Sequence, residues 1–152
     1  YLYFGRFAAK LDDVVNFIPA RIGGCLMIVS AGIAQLAEKC NTKDKTNSHY
    51  SIGNAWKIFK SDRKKHSSPN AAQTESACAG ALKVALSGDN YYFGKLVHKP
   101  QIGEAIRPLE AGDIGRSNIL LYITAFLMVI IVLLIRLIIM LAVNYILIRL
   151  AY

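Results

Sequence analysis

The sequence predicts a mainly α-helical integral membrane protein, in which a mostly helical polar domain lies between two apolar helices. Three observations predict this class. Residues 119–135 contain no charged side chain, and the apolar pattern resumes after Arg136 and continues to Ile148. Residues 22–37 form a second uncharged run. Residues 38–118, between the two runs, hold most of the charge, with thirteen basic and eight acidic side chains.

We therefore divide the chain into three parts. Residues 1–37 are predicted to form an amphipathic helix followed by a membrane-associated helix. Residues 38–118 form the polar, mostly helical domain, and residues 119–152 a C-terminal transmembrane helix. The excess of Lys and Arg in the polar domain favours the cytoplasmic side of the cell membrane, in a multi-pass protein.

The net charge of +8 at neutral pH restricts the class of partner. Basic proteins bind nucleic acid, anionic lipid or phosphorylated small molecules. The apolar runs make nucleic acid the least suitable of these, so we expect membrane lipid and phosphorylated molecules, and no nucleic acid. The three cysteines show no CxxC spacing and have no histidine at metal-ligand spacing, which argues against a disulfide framework and a zinc site. No Walker-type phosphate loop is present, so any use of ATP needs another kind of site.

The first element is the stretch AAKLDDVVNFIPAR. On a helix, Asp12 and Asn16 share a face, with Asp13 beside them. Pro19 has no backbone N–H, so it ends or kinks this helix, and Arg21 follows just before the apolar run. Paired carboxylates with an amide at a membrane surface suit a magnesium ion that holds a phosphate. On spacing alone, a solvated helix face with an interfacial arginine is the simpler interpretation.

The apolar run of residues 22–37 is rich in Gly, Ala and Ser, which is typical of a helix packed against other helices. A short membrane span and the core helix of a membrane bundle both fit, and we favour the span. Residues 41–51 are predicted to be a flexible connector.

The stretch RKKHSSPNAAQTES contains the start of the next predicted helix. Ser68 and Pro69 fit the N-cap and the first helical position, and Asn70 is an alternative cap. The helix is predicted to continue to about Leu86. Its many Ala and Gly residues give it narrow faces, so a neighbouring backbone can approach closely.

This helix start is also a candidate site for an anion. Helix N-termini attract phosphates and carboxylates, and the basic run from Arg63 to His66 lies immediately upstream. Glu75, in the second turn, could act as a base or a magnesium ligand. An ordinary capped helix after a charged loop fits the same residues equally well.

The third stretch is LSGDNYYFGKLVHKPQIG. Gly88, Asp89 and Asn90 predict a turn, and residues 91–97 predict a short strand or a packed loop. For each residue taken singly, a structural loop is the better interpretation.

The last apolar segment, residues 119–148, would be a helix of about 45 Å at 1.5 Å per residue. This is too long for one upright crossing and too short for two. We predict one long helix, tilted or kinked, whose end leaves the hydrocarbon. Arg136 would face protein or reach toward the headgroups.

Taken together, LDDVVNFIPAR, RKKHSSPNAAQTESACAGAL and LSGDNYYFGKLVHKPQIG resemble the CobD/CbiB family of cobalamin biosynthesis membrane proteins. The resemblance covers most of residues 4–115. It implies an adenosylcobinamide-phosphate synthase, an acid–amine ligase. Such an enzyme joins an amino-alcohol phosphate, typically aminopropanol phosphate, to the free carboxyl of adenosylcobyric acid, with ATP and Mg²⁺ as implied cofactors.

The resemblance also implies roles for the matching residues. Phosphate would be held at the helix start by His66, Ser68 and Asn70, with His66 also catalytic. The carboxylates of Asp12, Asp13 and Glu75 would hold Mg²⁺ or take the proton of the ammonium group. Of these, Asp12 and Asp13 are the implied metal ligands. Charge would be neutralised by Arg21 and Arg63. Further substrate contacts are implied for Asn16 and Tyr92.

Four positions depart from the family pattern: Ser67 stands for Pro, Ala72 for Gly, Thr74 for Pro, and Ser87-Gly88 for a glycine pair. The family's N-terminal half, with its own membrane helices, is missing. We therefore expect the chain to be incomplete, with that half as a partner.

Two other functions remain open. The AmpE-like relatives of the family are non-catalytic membrane sensors or regulators, and the four departures leave that alternative open. A transporter fits less well, because the apolar helices hold only Arg136 as an ionisable residue and show no broken-helix pair.

Overall fold

The computed structural model describes residues 4–42 and 48–151. Within them the chain forms five α-helices and four short strands: α1 Gly5–Val15, α2 Phe17–Asn41, α3 Ile52–Asp62, α4 Ala71–Leu82, β1 Leu86–Ser87, β2 Asn90–Tyr92, β3 Lys95–Val97, β4 Gln101–Ile102 and α5 Gly112–Ala151. The mainly helical class is confirmed. The connector predicted over residues 41–51 lies in part outside the described residues.

A single residue, Asn16, separates α1 from α2. Because Pro19 has no N–H, the Val15 carbonyl loses the donor it would have in a continuous helix, and the break falls three residues before the proline. The Asn16 N–H donates to the Asp12 carbonyl at 2.9 Å, and the Ala20 N–H donates to the Asn16 carbonyl at 3.0 Å. Pro19 itself lies in the first turn of α2, where a missing N–H is tolerated.

Helices α2, α3 and α4 pack through small residues. A Cβ atom on Gly24 of α2 would lie 2.6 Å from Phe59 Cε2 and 3.1 Å from the Gln73 carbonyl oxygen. On Gly80 of α4 it would lie 2.6 Å from the carbonyl oxygen of Asn54 in α3. These two glycines let the three backbones approach. The larger buried apolar side chains around them are Met27, Ile28, Tyr50, Ile58, Phe59, Leu82, Val84 and Leu120.

The end of α4 differs from the prediction, and its start matches the alternative one. The helix begins at Ala71, so Ser68 is not the N-cap; Asn70 holds that position, but its side chain makes no capping hydrogen bond. The helix ends at Leu82 and not at Leu86, because Lys83 adopts a left-handed conformation with φ of 60°. The uncapped start leaves the Asn70 amide available for other partners.

The strands form two small antiparallel pairs. β1 pairs with β4, with Leu86 opposite Ile102, and β2 pairs with β3 as a hairpin, with Tyr91 opposite Leu96. The sequence left a strand or a packed loop open for residues 91–97. The structure has a solvent-exposed hairpin.

Helix α5 starts seven residues before the uncharged run. Asp113 lies in its first turn, where a carboxylate is favoured by the helix dipole. This buried carboxylate accepts hydrogen bonds from Arg107 Nη1 at 2.9 Å, Arg116 Nη1 at 2.8 Å and the Glu110 N–H at 2.9 Å. The ion-pair cluster anchors the polar start of an otherwise apolar helix.

Two helices of the described chain are long and apolar enough to cross a membrane, α2 and Gly112–Leu150 of α5. The most apolar 18-residue window has a mean hydropathy of 1.7 in α2 and 3.2 in α5. The predicted pair of apolar helices is therefore present, and α5 is one continuous helix of 40 residues.

Candidate anion-binding site

The first and second sequence stretches meet in the structure, although about fifty residues separate them. Asn70 Nδ2 donates to the Asp13 backbone carbonyl at 2.9 Å, and Ser68 Oγ donates to Asp13 Oδ1 at 3.2 Å. Arg21 Nη1 lies 3.4 Å from Asn70 Oδ1, a long hydrogen bond. Four of the predicted site residues therefore form one contiguous group, between the end of α1 and the start of α4.

Local hydrogen bonds hold the loop that leads into α4, which we call the SPN loop after Ser68, Pro69 and Asn70. The Ser68 N–H donates to His66 Nδ1 at 3.1 Å, and the Asn70 N–H donates to Ser68 Oγ at 3.3 Å. In a neutral imidazole with Nδ1 as acceptor, the proton is on Nε2. The loop therefore sets His66 as a potential donor to a ligand.

Basic side chains surround a cavity of about 310 Å³ beside this loop, which we call the cationic cavity. Its lining residues are Arg21, Arg63, Lys64, His66, Ser67, Pro69 and Gln73. No acidic side chain is among these lining residues in the described chain. Three permanent cations around one concave space attract an anion, and guanidinium groups match the geometry of phosphate oxygens.

Aromatic contacts place the two arginines. The Arg21 guanidinium carbon lies 3.2 Å from the centre of the Phe17 ring, and its Nη1 donates to the Phe17 carbonyl at 2.6 Å. The Arg63 guanidinium carbon lies 5.5 Å from the centre of the Phe59 ring. Such stacking holds a guanidinium in position while leaving N–H groups at its edge for a ligand.

The sequence prediction missed Gln73, in the first turn of α4. Gln73 is 2% exposed, and its Nε2 donates to the carbonyls of Pro69 at 3.1 Å and Arg63 at 3.3 Å. The signal was present in the sequence: one long polar side chain in a run of Ala, one turn after the SPN tripeptide, needs a specific partner when it is buried.

A second cavity, of about 290 Å³, shares His66 and Ser67 with the cationic cavity. Its other lining residues are Lys65, Ser87, His98, Lys99, Pro100 and Ile102. The third sequence stretch therefore lies across the SPN loop from the first, and the His66–Ser67 segment separates two basic cavities.

Asp62 positions this second cavity and was also missed by the sequence prediction. The carboxylate is buried, accepts the Gly103 N–H at 2.8 Å and pairs with Lys65 at 2.8 Å. Burial alone would raise the pKa of Asp62, but the hydrogen bonds from Lys65 and Gly103 outweigh burial and lower it. The ionised carboxylate ties the end of α3 to the loop after β4.

The two adjacent aspartates point to different partners. Asp13 contacts Ser68, whereas Asp12 Oδ1 accepts from Asn16 Nδ2 at 2.8 Å along the exposed side of α1. The described residues contain no group of three or more His, Cys, Asp or Glu side chains arranged around a metal. Mg²⁺ is commonly held by one or two carboxylates together with substrate phosphates, so carboxylate oxygens are the right kind of ligand, and the metal-ligand role of Asp12 and Asp13 stays a prediction.

Only three of the ten predicted site residues line the cationic cavity, and Glu75 and Tyr92 are not among them. Glu75 is half-buried on α4 and lies near Cys78; burial raises the pKa of the Cys78 thiol to about 11, and the charges of Asp113 and Glu75 add to this. The Tyr92 hydroxyl accepts from Lys99 Nζ at 2.8 Å on the exposed hairpin. Tyr92 is therefore next to Lys99, a residue of the second cavity, and Glu75 lies near Cys78 on α4.

Comparison with known proteins gives a consistent result. The family model described as "CobD/Cbib protein" matches residues 1–121. The chain is 46% identical over 136 residues to the "Cobalamin biosynthesis protein CobD" of Clostridium perfringens, and 43% identical over 136 residues to that of Desulfotalea psychrophila. It is 38% identical over 127 residues to the "Cobalamin biosynthesis protein CbiB" of Salmonella typhimurium.

These matches cover 90%, 90% and 84% of this chain, but only 39%, 37% and 35% of the three relatives. The chain thus spans less than two-fifths of the length of these relatives. No solved structure matches it.

Proposed function

Since this chain belongs to the CobD/CbiB family, we propose that it acts in cobalamin biosynthesis as part of an adenosylcobinamide-phosphate synthase. The proposed reaction joins the amine of an amino-alcohol phosphate, typically aminopropanol phosphate, to the free carboxyl of adenosylcobyric acid, with ATP as the source of activation. The carboxyl carbon gains a bond to the amine nitrogen and loses its bond to a phosphate-derived leaving group, while the amine releases a proton.

One observation carries this proposal: the LDDVVN helix and Arg21 contact the SPN loop, which borders a cavity lined by three permanent cations. Both proposed small substrates are phosphates, and a cationic cavity with stacked arginines suits them. In a partly desolvated site these cations also stabilise the charge that develops as the leaving group departs.

Each residue has a proposed role. Arg21, Arg63 and Lys64 bind phosphate oxygens, and His66 donates through Nε2–H. Ser68 and Asn70 fix the SPN loop against the end of α1.

The carboxylates supply the remaining chemistry. Asp12 and Asp13 would hold Mg²⁺, which supplies charge neutralisation to the phosphates when it is bound. Asp13, which contacts the SPN loop, is also better placed than Glu75 to take the proton from the amine.

We further propose that the protein is an integral, multi-pass protein of the cell membrane with the polar domain in the cytoplasm. Almost every large aliphatic side chain of α5 beyond Ile130 is exposed in the described chain. Lipid and the membrane helices of the remaining part of the protein would cover this surface. The adenosylcobyric acid would then bind on the cytoplasmic side, next to the polar domain.

The test is complementation of a strain that lacks the synthase, using the full-length gene. Asn70→Ala and Asp13→Asn should abolish conversion of adenosylcobyric acid to adenosylcobinamide phosphate, measured by chromatography of corrinoid extracts. Asn41→Ala, at the exposed end of α2, is the matched control and should leave conversion unchanged. Failure of the unmodified gene to complement, with the protein present in the membrane fraction, would refute the synthase and favour a non-catalytic regulator.

A further inference from the structure

The orientation of the Gln73 amide is fixed by its donors. Nε2 donates to two backbone carbonyls, those of Arg63 and Pro69. Rotating the amide by 180° would place an oxygen against both carbonyl oxygens, which is unfavourable, so the assignment of nitrogen and oxygen is determined by the surroundings. Oε1 consequently points away from these carbonyls.

Oε1 is an acceptor that the protein leaves without a donor. Gln73 is 2% exposed, and Oε1 has no hydrogen-bond partner in residues 4–42 and 48–151. Buried acceptors are rarely left unsatisfied in folded proteins, because they lose their hydration without a replacement. Gln73 is one of the residues that line the cationic cavity, so a donor bound in that cavity is the candidate partner of Oε1.

The cavity therefore has two kinds of recognition group. Arg21, Arg63 and Lys64 attract negative charge, whereas a bare carbonyl oxygen repels a phosphate oxygen and accepts only N–H or O–H groups. A fully ionised phosphate ester without an amine satisfies the cations and leaves Oε1 unpaired, because its phosphate has no N–H or O–H to donate. A phosphate ester that carries an amine can satisfy both kinds of group at once.

We propose that Gln73 is a specificity-determining residue, whose Oε1 accepts an N–H of the amine of the amino-alcohol phosphate while the phosphate lies against the arginines. This inference rests on the proposed function, because it places that substrate in the cationic cavity. The hydrogen bond holds the amine at the inner end of the cavity and lets the site distinguish amine-bearing phosphates from other phosphates. Gln73 moves no proton in this role, since an amide carbonyl is not a base at neutral pH.

The experiment compares two ligands that differ only in the amine, using the full-length protein in detergent. Titration calorimetry measures the affinity for 1-amino-2-propanol 2-phosphate and for isopropyl phosphate, which has the same skeleton without the amine. We expect the amine to increase affinity about tenfold to a hundredfold, the range for a hydrogen bond to a charged group. Gln73→Met should bring this ratio near one while affinity for isopropyl phosphate stays unchanged.

A role in packing alone would lower both affinities together and leave their ratio constant, which would overturn the inference. A ratio near one in the unmodified protein, with isopropyl phosphate bound, would also overturn it while leaving the phosphate site intact.

ADP serves as a third ligand, because its ribose hydroxyls and adenine amine are donors too. If Gln73→Met weakens only ADP, the partner of Oε1 belongs to the nucleotide and the inference is wrong. If no phosphate compound binds, both the inference and the proposed site fail.

Discussion

The two apolar helices differ in how much of each is buried, and the more apolar helix is the less buried one. The most apolar window of α5 has a mean hydropathy of 3.2, yet none of it is buried within the molecule. The most apolar window of α2 has a mean hydropathy of 1.7, and 33% of it is buried. The less apolar helix is therefore the one that packs against the rest of the chain.

The difference lies in side-chain size. α2 buries Gly23, Gly24, Ser30, Ala31 and Ala34, which let α3 and α4 approach its backbone. α5 presents Leu, Ile and Val on all sides, and only its first turns, with Asp113, Leu120 and Thr124, are buried. In lipid, apolarity gives no preference for a protein neighbour, whereas small residues allow close helix contacts. α2 has the composition of a packing helix, and α5 that of a lipid-facing one.

The largest expected effect compares two adjacent leucines of α5. Leu120 is 0% exposed and Leu121 is 54% exposed. Leu120→Ala should lower the free energy of unfolding by about 2–5 kcal/mol, because it removes buried methyl groups and leaves a cavity. Leu121→Ala is the matched control and should have a much smaller effect. Denaturation of the full-length protein in detergent measures both.

Equal losses for the two leucines would contradict the comparison. That result would mean that another part of the full-length protein covers the outer face of α5 as tightly as α2 covers the inner face.

The next effect compares two glycines. A Cβ on Gly24 would lie 2.6 Å from Phe59 and 3.1 Å from the Gln73 carbonyl oxygen, whereas a Cβ on Gly115 of α5 would contact nothing within 4 Å. Gly24→Ala should destabilise the protein by about 3 kcal/mol, at the upper end for an overpacked core, since backbone has to move. Gly115→Ala should be neutral or slightly stabilising, because Ala has the higher helix propensity. A tolerated Gly24→Ala in the same denaturation assay would show that α2 is not closely packed.

The sequence predicted this pair of helices better than their boundaries. Uncharged runs and their length identified both apolar helices, because hydropathy is a local property of the chain. The break at Asn16 and the end of α4 at Lys83 were misplaced, since they depend on a carbonyl four residues before a proline and on a left-handed backbone that no residue type signals reliably.

The candidate site was only partly predictable. The residues that the structure gathers around Asp13 were named from the motifs, but their contact across more than fifty positions is a tertiary feature. Gln73 and Asp62 were missed: an isolated long polar side chain in a run of small residues signalled Gln73, whereas the burial of Asp62 becomes visible only after folding. Glu75 does not line the cationic cavity as Gln73 does, because two residues along a helix turn a side chain to the opposite side.

A smaller effect concerns pH and the packed region around α3. The pKa of Asp62 is lowered in the folded protein, so its stabilising contribution is complete above the unfolded pKa of about 3.9 and is lost as the pH falls toward the folded pKa. At neutral pH, Asp62→Asn should cost about 2 kcal/mol, the value for hydrogen bonds to a charged group. The difference between the two proteins should shrink below about pH 4.

Asp89→Asn is the control for this change, since Asp89 is exposed and pairs with His98 near the hairpin. Its stability should match that of the unmodified protein at neutral pH. A cost for Asp62→Asn that stays constant from pH 7 to pH 3 would show that the charge of Asp62 is not what stabilises this region.

The smallest effect tests the contact between the two apolar helices themselves. Ser30 Oγ of α2 lies 2.9 Å from Thr124 Oγ1 of α5, and both atoms are buried. Each hydroxyl also lies within hydrogen-bond distance of a carbonyl of its own helix, Leu26 at 2.8 Å for Ser30 and Leu120 at 2.7 Å for Thr124. Since a hydroxyl has one proton, only one of the two can donate across the interface while the other donates within its helix.

A double-mutant cycle with Ser30→Ala and Thr124→Val should give a coupling of about 0.6 kcal/mol, the average for hydrogen bonds between membrane helices. A coupling indistinguishable from zero would mean that α2 and α5 associate through small-residue packing alone.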